Sequence, residues 1–401
     1  MSWEKINFGS LYLAPTRNGI YKDKSSHGSG VKIVNMGEIF AYDFIGNQDM
    51  QRIEMTPEEM QTSGLKESDL LFARRSLVES GAGKASIVTE LSEPTTFESS
   101  IIRVRLDPTL CYPLFYLYWL RCLAGRAAIG ALVTGLNVKG IRGSELKGMV
   151  VDYPPIETQK RIAGILKRYD DLIENNQKQI KLLEEAAQRL YKEWFVDLRF
   201  PGHETTLITD GIPEGWIAST VGSICDLKKD TVFASKIAAD TPYIGLEHMP
   251  RVDFCLSNWG TAEAATSNKF RYAENDIIFG KIRPYFHKVG FTLNSGVVST
   301  DSFVMEAKNG LWGLLLMTVF DKAFVDYTYQ TCKEGAKMPR ADWNQMEKYP
   351  VLVPSEDVRQ KFEDYMWTVT RRIKGLALQN HALAEARDRL LPKLMNGEIE
   401  V

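Results

Sequence analysis

The clearest pattern in the chain is a mostly apolar stripe that repeats with helical spacing between residues 162 and 194. Its positions, in alternating steps of four and three residues, are Ile162, Leu166, Tyr169, Ile173, Asn176, Ile180, Leu183, Ala187, Leu190 and Trp194. Steps of four and three place side chains along one narrow side of an α-helix, which is the seam of a coiled coil. The sequence therefore predicts a long helix that packs against another helix.

The same stripe recurs 200 residues later in the chain. Its positions there are Phe362, Met366, Val369, Ile373, Leu376, Asn380, Leu383, Arg387, Leu390 and Leu394. Each stripe follows a proline, Pro155 or Pro354, which favours the end of a strand followed by the start of a helix. We predict long helices over residues 155–198 and 355–401, each about 60 Å in length at 1.5 Å per residue.

Each stripe carries one asparagine, and the two asparagines indicate how the helices pair. In a parallel pair Asn176 would face Leu376, and Asn380 would face Ile180. In an antiparallel pair whose residue numbers sum to 556, Asn176 faces Asn380 and every other seam position still meets a seam position. Because a buried amide needs a polar partner, the sequence predicts an antiparallel coiled coil with Asn176 and Asn380 fixing its register.

The antiparallel register makes two further predictions about contacts along the seam. Trp194 meets Phe362, and Arg387 lies opposite Tyr169 in the one irregular layer, where a stacked guanidinium could be tolerated. The alternative is that each helix docks on its own globular domain, but a narrow stripe usually packs on another helix.

The segments that precede the two helices also resemble each other. Leu65–Ser76 resembles Tyr272–Arg283, and Lys32–Ile39 resembles Pro242–Met249. Strands are predicted over Val31–Val34, Asp69–Phe72 and Ser100–Val104 in the first segment, and over Tyr243–Leu246, Asp276–Phe279 and Ser302–Met305 in the second. A predicted helix near Leu114–Leu123 likewise corresponds to one near Trp312–Phe320.

The repeat leads to one fold prediction. We expect an α+β chain with two mixed α/β domains, over residues 1–154 and 199–354. Each domain is followed by a long helix, and the two helices form the antiparallel coiled coil.

Polar residues recur at matching places in the two predicted domains. They form a basic turn after a central strand, a glycine loop with basic residues, and an amide or imidazole group near an early strand. The candidates for DNA contact are Asn35, Arg74, Arg75, Asn137, Lys139 and Arg142 in the first domain and His248, Lys281, Arg283, Lys337 and Arg340 in the second. Basic side chains at loop tips suit phosphate and guanine contacts. Any one of them alone would be read as a solvated surface residue, but their recurrence favours a function.

Composition and motifs narrow the classes of function. The net charge of -2 counts mildly against a nucleic-acid binder and favours protein partners. The five cysteines lack C-x-x-C spacing, which predicts neither disulfides nor zinc and fits a reducing cytoplasm. The most apolar stretch, Cys111–Val133, is interrupted by Arg121 and Arg126, so we expect no membrane span.

The sequence contains no pattern that predicts an active site. The run Ser80–Lys84 departs from a phosphate loop, since Val78 replaces its first glycine and Ala85 its final Ser or Thr. The five histidines lack metal-ligand spacing. We therefore expect a non-catalytic chain with no metal and no cofactor of its own.

The first long helix resembles a known family. Its sequence PPIETQKRIAGILKRYDDLIENNQKQIKLLEEAAQRLYKEWF, Pro154–Phe195, is similar to the central helix of Type I restriction-modification specificity (S) subunits. The segments PYIGLEHM and LLPKLMNGEIEV resemble the same family, and the resemblance covers essentially the whole chain. The second copy has Val358 where the first has Gln159, so contacts of that glutamine are expected to be asymmetric.

The resemblance implies a function. Each globular domain would be a target recognition domain reading one half of a split DNA sequence, and the paired helices would set the unread gap. The helices would also dock two methyltransferase (M) subunits, which carry S-adenosylmethionine, and restriction (R) subunits can be added to that core. Two alternatives stay open: an interaction scaffold whose domains bind proteins, and an enzyme with its own nuclease or methyltransferase centre.

Overall fold

The structure is a computed structural model that describes residues 3–21, 23–78, 81–135, 138–264, 266–332 and 337–401. Its contacts divide the chain into two compact units. The first unit contains Met1–Asp171 and Ala384–Val401, and the second contains Leu172–Leu383. Both predicted long helices therefore contribute residues to both units.

The first half of the chain alternates short strands and helices before one long helix. Its strands are β1 (Glu4–Asn7), β2 (Tyr12–Asn18), β3 (His27–Val34), β4 (Phe44–Ile45), β5 (Arg52–Ile53), β6 (Leu70–Ala73), β7 (Arg75–Ser76), β8 (Ala85–Val88), β9 (Thr95–Phe97), β10 (Ile101–Leu106), β11 (Lys139–Gly140) and β12 (Val150–Tyr153). Its helices are α1 (Met36–Ala41), α2 (Pro57–Ser63), α3 (Pro113–Arg121), α4 (Leu123–Gly130), α5 (Gly143–Gly148) and α6 (Ile156–Tyr191), and a π-helical turn, Lys192–Val196, extends α6.

The second half has a closely related order of elements. Its strands are β13 (Ile208–Thr209), β14 (Ile212–Pro213), β15 (Ile217–Thr220), β16 (Cys225–Lys228), β17 (Thr231–Val232), β18 (Pro242–Ile244), β19 (Cys255–Leu256), β20 (Gly260–Thr261), β21 (Lys269–Tyr272), β22 (Ile277–Gly280), β23 (Val289–Thr292), β24 (Gly296–Ser299), β25 (Ser302–Ala307) and β26 (Pro350–Val353). Its helices are α7 (Val221–Ile224), α8 (Trp312–Phe320), α9 (Lys322–Gln330), α10 (Trp343–Met346) and α11 (Glu356–Met395).

The sheets confirm the internal repeat. The main sheet of the first unit has the order β2-β10-β6-β8-β4, and that of the second unit has the order β16-β25-β22-β23-β19. In both sheets the last pair is parallel and the others are antiparallel. The central strands β6 and β22 are apolar along their length and buried on both faces, as a sheet covered on both sides requires.

The predicted strands overlap β3, β6, β10, β18, β22 and β25. The two short helices predicted at corresponding places, near Leu114–Leu123 and Trp312–Phe320, overlap α3 and α8. The fold class expected from the sequence is therefore confirmed.

The two long helices pair in opposite directions, as the asparagines predict. In the second unit the Asn176 Nδ2 group donates to Asn380 Oδ1 at 2.9 Å, and the rings of Trp194 and Phe362 lie 5.9 Å apart. Residue numbers that rise along α6 therefore fall along α11. In the first unit Ile162 and Leu394 lie in one buried core.

The sequence analysis did not identify the ion-pair partner of Arg387. Arg387 forms an ion pair with Asp170, the residue next to Tyr169, through Nη1 and Oδ1. Tyr118 donates its hydroxyl to the other oxygen of Asp170 at 2.6 Å. The carboxylate of Asp170 is a stronger partner for a buried guanidinium than the ring of Tyr169. Because Asp170 lies one position beside the seam, the seam pattern does not reveal this ion pair.

Buried acceptors on the long helices hold the domains in place. Gln159 on α6 accepts the Tyr112 backbone N–H at 2.8 Å, at the start of α3. Glu363 on α11 accepts the N–H groups of Gly313 and Leu314, at 2.7 and 3.0 Å, at the start of α8. At the offset of 200 the equivalent of Gln159 is Arg359 rather than Val358, and Glu363 lies one helical turn further along α11. The contacts of the glutamine are therefore asymmetric, as expected, and a carboxylate at another position serves the second half.

A further carboxylate has no repeat equivalent. Glu184 on α6 accepts the N–H groups of Phe254 and Cys255 through a single oxygen, at 3.0 and 2.8 Å. The equivalent residue on α11 is Ala384. Burial raises the pKa of Glu184 to about 8 and that of Glu363 to about 7.

Candidate nucleic-acid interface

The first domain brings its basic turn and its glycine loop together. Strand β7 of the turn pairs antiparallel with β11 of the loop, so that Lys139 lies opposite Ser76 and Gly140 opposite Arg75. The Ile141 N–H donates to the Arg74 carbonyl at 3.1 Å. Two groups that lie far apart in the sequence therefore form one basic surface.

A polar cavity lies beside this surface. It has a volume of about 270 Å³ and is lined by Thr16, Asn18, Arg74, Arg142, Gly143 and Ser144. The Arg74 guanidinium also donates to the Ser99 carbonyl at 3.4 Å, while Arg142 is exposed. Two guanidinium groups beside hydroxyl and amide groups suit a phosphate or the edge of a guanine base.

Two lining residues of this cavity were missed by the sequence analysis. Thr16 and Asn18 lie near the end of β2, which forms the edge of the main sheet. The β2–β10 pairing and α5 bring them to Arg74 and Arg142, which lie far along the chain. No short motif surrounds Thr16 and Asn18, so only the fold reveals them.

The second domain places the equivalent segments together in the same way. The Arg283 N–H donates to the Pro339 carbonyl at 2.8 Å, and the Ala341 N–H donates to the Lys281 carbonyl at 2.9 Å. Ile282 and Arg340 form an antiparallel bridge between the segments. The recurrence of this arrangement is the strongest sign that these surfaces have a shared role.

The basic side chains of the second domain are more engaged than those of the first. The Lys281 ammonium donates to the Thr300 carbonyl at 2.8 Å and lies 4.4 Å from the centre of the Phe303 ring. Burial lowers the pKa of Lys281. Arg340, which is exposed, pairs with Asp301 at 2.9 Å. These contacts indicate that Lys281 has a packing role at least as much as a binding role.

Arg283 is held in an unusual backbone conformation. Its φ of 52° lies in the left-handed region, where a residue with a side chain is strained. The guanidinium lies 5.7 Å from the centre of the Phe286 ring, and its buried Nε has no hydrogen-bond partner among the described residues. This backbone conformation sets the direction in which the turn presents the Arg283 guanidinium.

The other candidate residues have local roles or lie apart. Asn35 precedes α1, and its backbone N–H donates to Glu38 Oε2 at 2.7 Å. His248 Nδ1 accepts the Gly245 N–H at 2.9 Å, with its ring against Tyr243. Lys337 is exposed. Asn137 lies outside the described residues.

Neither a metal cluster nor a membrane span is found in the described part of the chain. No three histidine, cysteine, aspartate or glutamate side chains among those residues are grouped closely enough to hold a metal ion. Among the same residues, no helix has the length and apolar character needed to cross a bilayer.

Comparison with known proteins agrees with the resemblance seen in the sequence. Residues 22–185 match the family described as Type I restriction modification DNA specificity domain. The matched part of the chain includes most of α6 and the basic surface of the first domain.

Individual specificity subunits are similar to the chain over part of their length. The chain is 27% identical over 285 residues to the Type I restriction enzyme MjaIX specificity subunit of Methanocaldococcus jannaschii, covering 67% of this chain and 64% of that one. It is 26% identical over 171 residues to the EcoKI specificity subunit of Escherichia coli K12, covering 42% and 36%. The chain thus spans less than two thirds of the length of either relative.

The fold is that of a solved specificity subunit. The chain is similar to the crystal structure of a Type I restriction-modification S subunit from M. genitalium, with a TM-score of 0.59 and 15% identity. The similarity covers 98% of this chain and 96% of that one, and at this identity it concerns the fold.

Proposed function

We propose that this chain is the DNA-specificity subunit of a Type I restriction-modification complex and reads a bipartite duplex site. Each domain reads one half-site with the surface formed by its basic turn and glycine loop. The antiparallel helices set the length of DNA between the half-sites. The observation that carries the proposal is the recurrence of the same surface in both domains, built on helices whose register a buried Asn176–Asn380 pair fixes.

The chemistry of the first domain's surface suits this role. Arg75 and Arg142 are exposed, and Arg74 lines the polar cavity with Arg142. Guanidinium groups on phosphates would set the register of the domain on DNA, and the same groups on guanine edges would read sequence. The net charge of -2 is compatible with this role because the local field at the phosphates, rather than the total charge, decides binding.

We assign the methylation chemistry to partners. Two M subunits would bind this chain, hold S-adenosylmethionine and act on a base within each half-site, and R subunits can join that assembly. A base inside a duplex must leave the stack before it can be methylated. This chain would therefore grip the flanking DNA while the partner holds the extruded base.

The test is selection of bound duplexes from a random pool by the complex of this chain with its M partner. We expect two short conserved blocks separated by a fixed gap of unspecified sequence. Insertion of one base pair into the gap should remove most of the affinity, because both domains can then no longer bind together. A single continuous block would contradict the two-reader proposal.

A protein scaffold is the second candidate, and the engagement of Lys281 and Arg340 by neighbouring groups favours it for the second domain. It predicts that the complex assembles but retains no duplex at low salt. If only the second domain is such a scaffold, substitutions in that domain should leave both halves of the selected site unchanged.

A further inference from the structure

The polar contacts between the long helices do not follow the internal repeat. Asp170 on α6 and Arg387 on α11 form a buried ion pair, with 7% and 15% of their side chains exposed. Tyr118 donates to the second oxygen of Asp170, and the Arg121 guanidinium lies 3.6 Å from it. Asp170 therefore has partners on both oxygens when Arg387 is in place.

The repeat-equivalent positions carry neutral residues. At an offset of 200, Asp170 corresponds to Thr370 and Arg387 corresponds to Ala187. Both equivalents are buried in the second unit, and the Thr370 hydroxyl donates to the Met366 carbonyl of its own helix at 2.7 Å. At this layer the acid occurs on α6 alone and the base on α11 alone.

The asparagine pair has the same asymmetry. Asn176 Nδ2 donates to Asn380 Oδ1 at 2.9 Å and to Gln379 Oε1 at 3.1 Å, and Asn380 Nδ2 donates to the Ile173 carbonyl at 3.4 Å. Gln379 has a repeat equivalent in Gln179, so the asymmetry lies in the two asparagines. The equivalent of Asn176 is Leu376, and the equivalent of Asn380 is Ile180. Each helix thus carries one amide, placed so that it meets the amide of the other helix.

We propose that these two pairs form a pairing code by which the long helix of each half selects the helix of the other half and rejects a second copy of itself. The first half is residues 1–198, and the second half is residues 199–401. Pairing two first halves in the same register makes residue numbers sum to 356, which puts Asn176 opposite Ile180 and Asp170 near Ala187.

Pairing two second halves also separates the asparagine from its asparagine partner and the charged residue from its ion-pair partner. The numbers then sum to 756, which puts Asn380 opposite Leu376 and Arg387 near Thr370.

In either self-pair the interhelical ion pair and the asparagine–asparagine hydrogen bond are lost, and this happens twice because the pair is symmetric. Within their own halves Asp170 keeps Tyr118 and Arg387 keeps Asp388. The apolar layers fit all three pairings, so the polar residues decide among them.

This code gives the chain a recognition function that does not depend on DNA. Duplicated halves share one seam pattern, and without the polar pairs they would associate with their own kind as well as with each other. With the code, first halves and second halves sort into mixed pairs even when the covalent link between them is cut.

The test uses the full chain, cut only after it has folded. A protease site is inserted into the exposed segment between Gly202 and Asp210, and the cleaved protein is mixed with an isotope-labelled copy. Native mass spectrometry counts each kind of pair, and urea is raised until mixed-isotope pairs show that halves exchange. We expect mixed first–second pairs to exceed either self-pair by more than about a hundredfold, because two self-pairs lack the two interhelical ion pairs and the two asparagine pairs that two mixed pairs contain.

Transfer of the code provides the stricter test. Thr370→Asp combined with Leu376→Asn gives the second half both members of each pair, so second–second pairs should become a major species. The matched control, Thr368→Asp with Leu378→Asn, makes the same chemical changes at exposed positions of the same helix and should leave the distribution unchanged. Abundant self-pairs in the unaltered protein, or equal self-pairing in the transfer and control variants, would overturn the proposal.

Discussion

At the scale of single residues, the fold gives similar side chains different roles. Arg74 and Lys281 occupy equivalent places after β6 and β22. Arg74 lines an open polar cavity, whereas Lys281 packs against Phe303 and donates to a backbone carbonyl. Equivalent positions in a repeat therefore need not contribute equally to binding.

The first prediction concerns the two arginines of the cavity. Arg74→Ala and Arg142→Ala should each weaken DNA binding by about 1–3 kcal/mol if they read a base, or reduce the salt slope by about one if they hold a phosphate. Lys281→Ala should instead lower the free energy of unfolding. Fluorescence anisotropy across a salt series measures the first effects and urea unfolding measures the last. Unchanged affinity and salt slope in both arginine variants would remove the cavity from the interface.

The second prediction concerns the pH dependence that Glu184 brings to the second unit. Burial raises the pKa of Glu184 to about 8, above the ordinary value of 4.5 expected in the unfolded chain. A raised pKa means that folding favours the protonated form, so this stability is present below the ordinary value and is lost as pH rises towards 8. Glu184→Gln should remove that loss, which is at most about 4 kcal/mol between pH 5 and pH 9.

The geometry allows Glu184→Gln to keep the hydrogen bonds of the native side chain. Glu184 accepts both N–H groups through Oε1 alone, so a glutamine oxygen can replace it. Glu363 uses both of its oxygens, so Glu363→Gln must place an NH2 group against an N–H and should destabilise the fold at every pH. Urea unfolding at pH 5, 7 and 9 distinguishes the two variants. A Glu184→Gln protein that keeps the wild-type pH slope would show that this carboxyl does not carry it.

At the scale of elements, regular patterns were predictable and tertiary partners were not. The seam of α6 and α11, their direction and the Asn176–Asn380 contact follow from spacing, because a helix repeats its faces every few residues. Asp170 lies outside the seam pattern, and the amide acceptors Glu184 and Glu363 look like ordinary helical glutamates. Their roles depend on which backbone groups the domains bring to them, which no local pattern contains.

The third prediction concerns the asparagine layer of the paired helices. Replacing Asn176 and Asn380 together by Leu should raise the free energy of unfolding by about 1–2 kcal/mol, because an apolar layer avoids the desolvation of two amides. Either single change should be less stable than the double variant, since the remaining asparagine then faces a leucine and loses its asparagine partner. The double variant should also lose register. Spin labels on Lys178 and Arg371 would then give a broader distance distribution, and a distribution as narrow as wild type would contradict this reading.

At the scale of the whole molecule, a second signal of the repeat escaped the sequence analysis. Trp3–Tyr12 and Trp216–Cys225 align at an offset of 213, with Gly9-Ser10 matching Gly222-Ser223. The shift from 200 to 213 hid the match, because Trp3 lies 153 positions before Ile156 whereas Trp216 lies 140 positions before Glu356. Strands β1 and β15 follow these tryptophans and pair with β12 and β26 in the same way.

These tryptophans occupy equivalent joints. In the second unit the ring of Trp216 lies 5.6 Å from that of Phe195, which follows the main part of α6. In the first unit Trp3 Nε1 donates to the carbonyl of Met395, at the end of α11, at 3.0 Å. Phe195 and Met395 are themselves equivalent at an offset of 200. In the second unit the segment between Phe195 and Trp216 connects the two contacting residues along the chain. In the first unit Trp3 and Met395 make the equivalent contact although they lie far apart in the sequence.

The last prediction follows from this equivalence. A circular permutant that links Val401 to Met1 and begins within the exposed Gly202–Asp210 segment should fold with the thermal midpoint and the DNA selectivity of the original chain. The new link joins segments that are already held together, and the new ends fall where few buried contacts exist. A matched permutant that begins between Asn175 and Asn176 keeps the same link but cuts α6, and it should lose stability because its helical ladder and seam are interrupted. Thermal unfolding and binding to the selected duplex measure both proteins. If the first permutant were as unstable as the second, the contact between Trp3 and Met395 would not be a joint equivalent to that between Trp216 and Phe195.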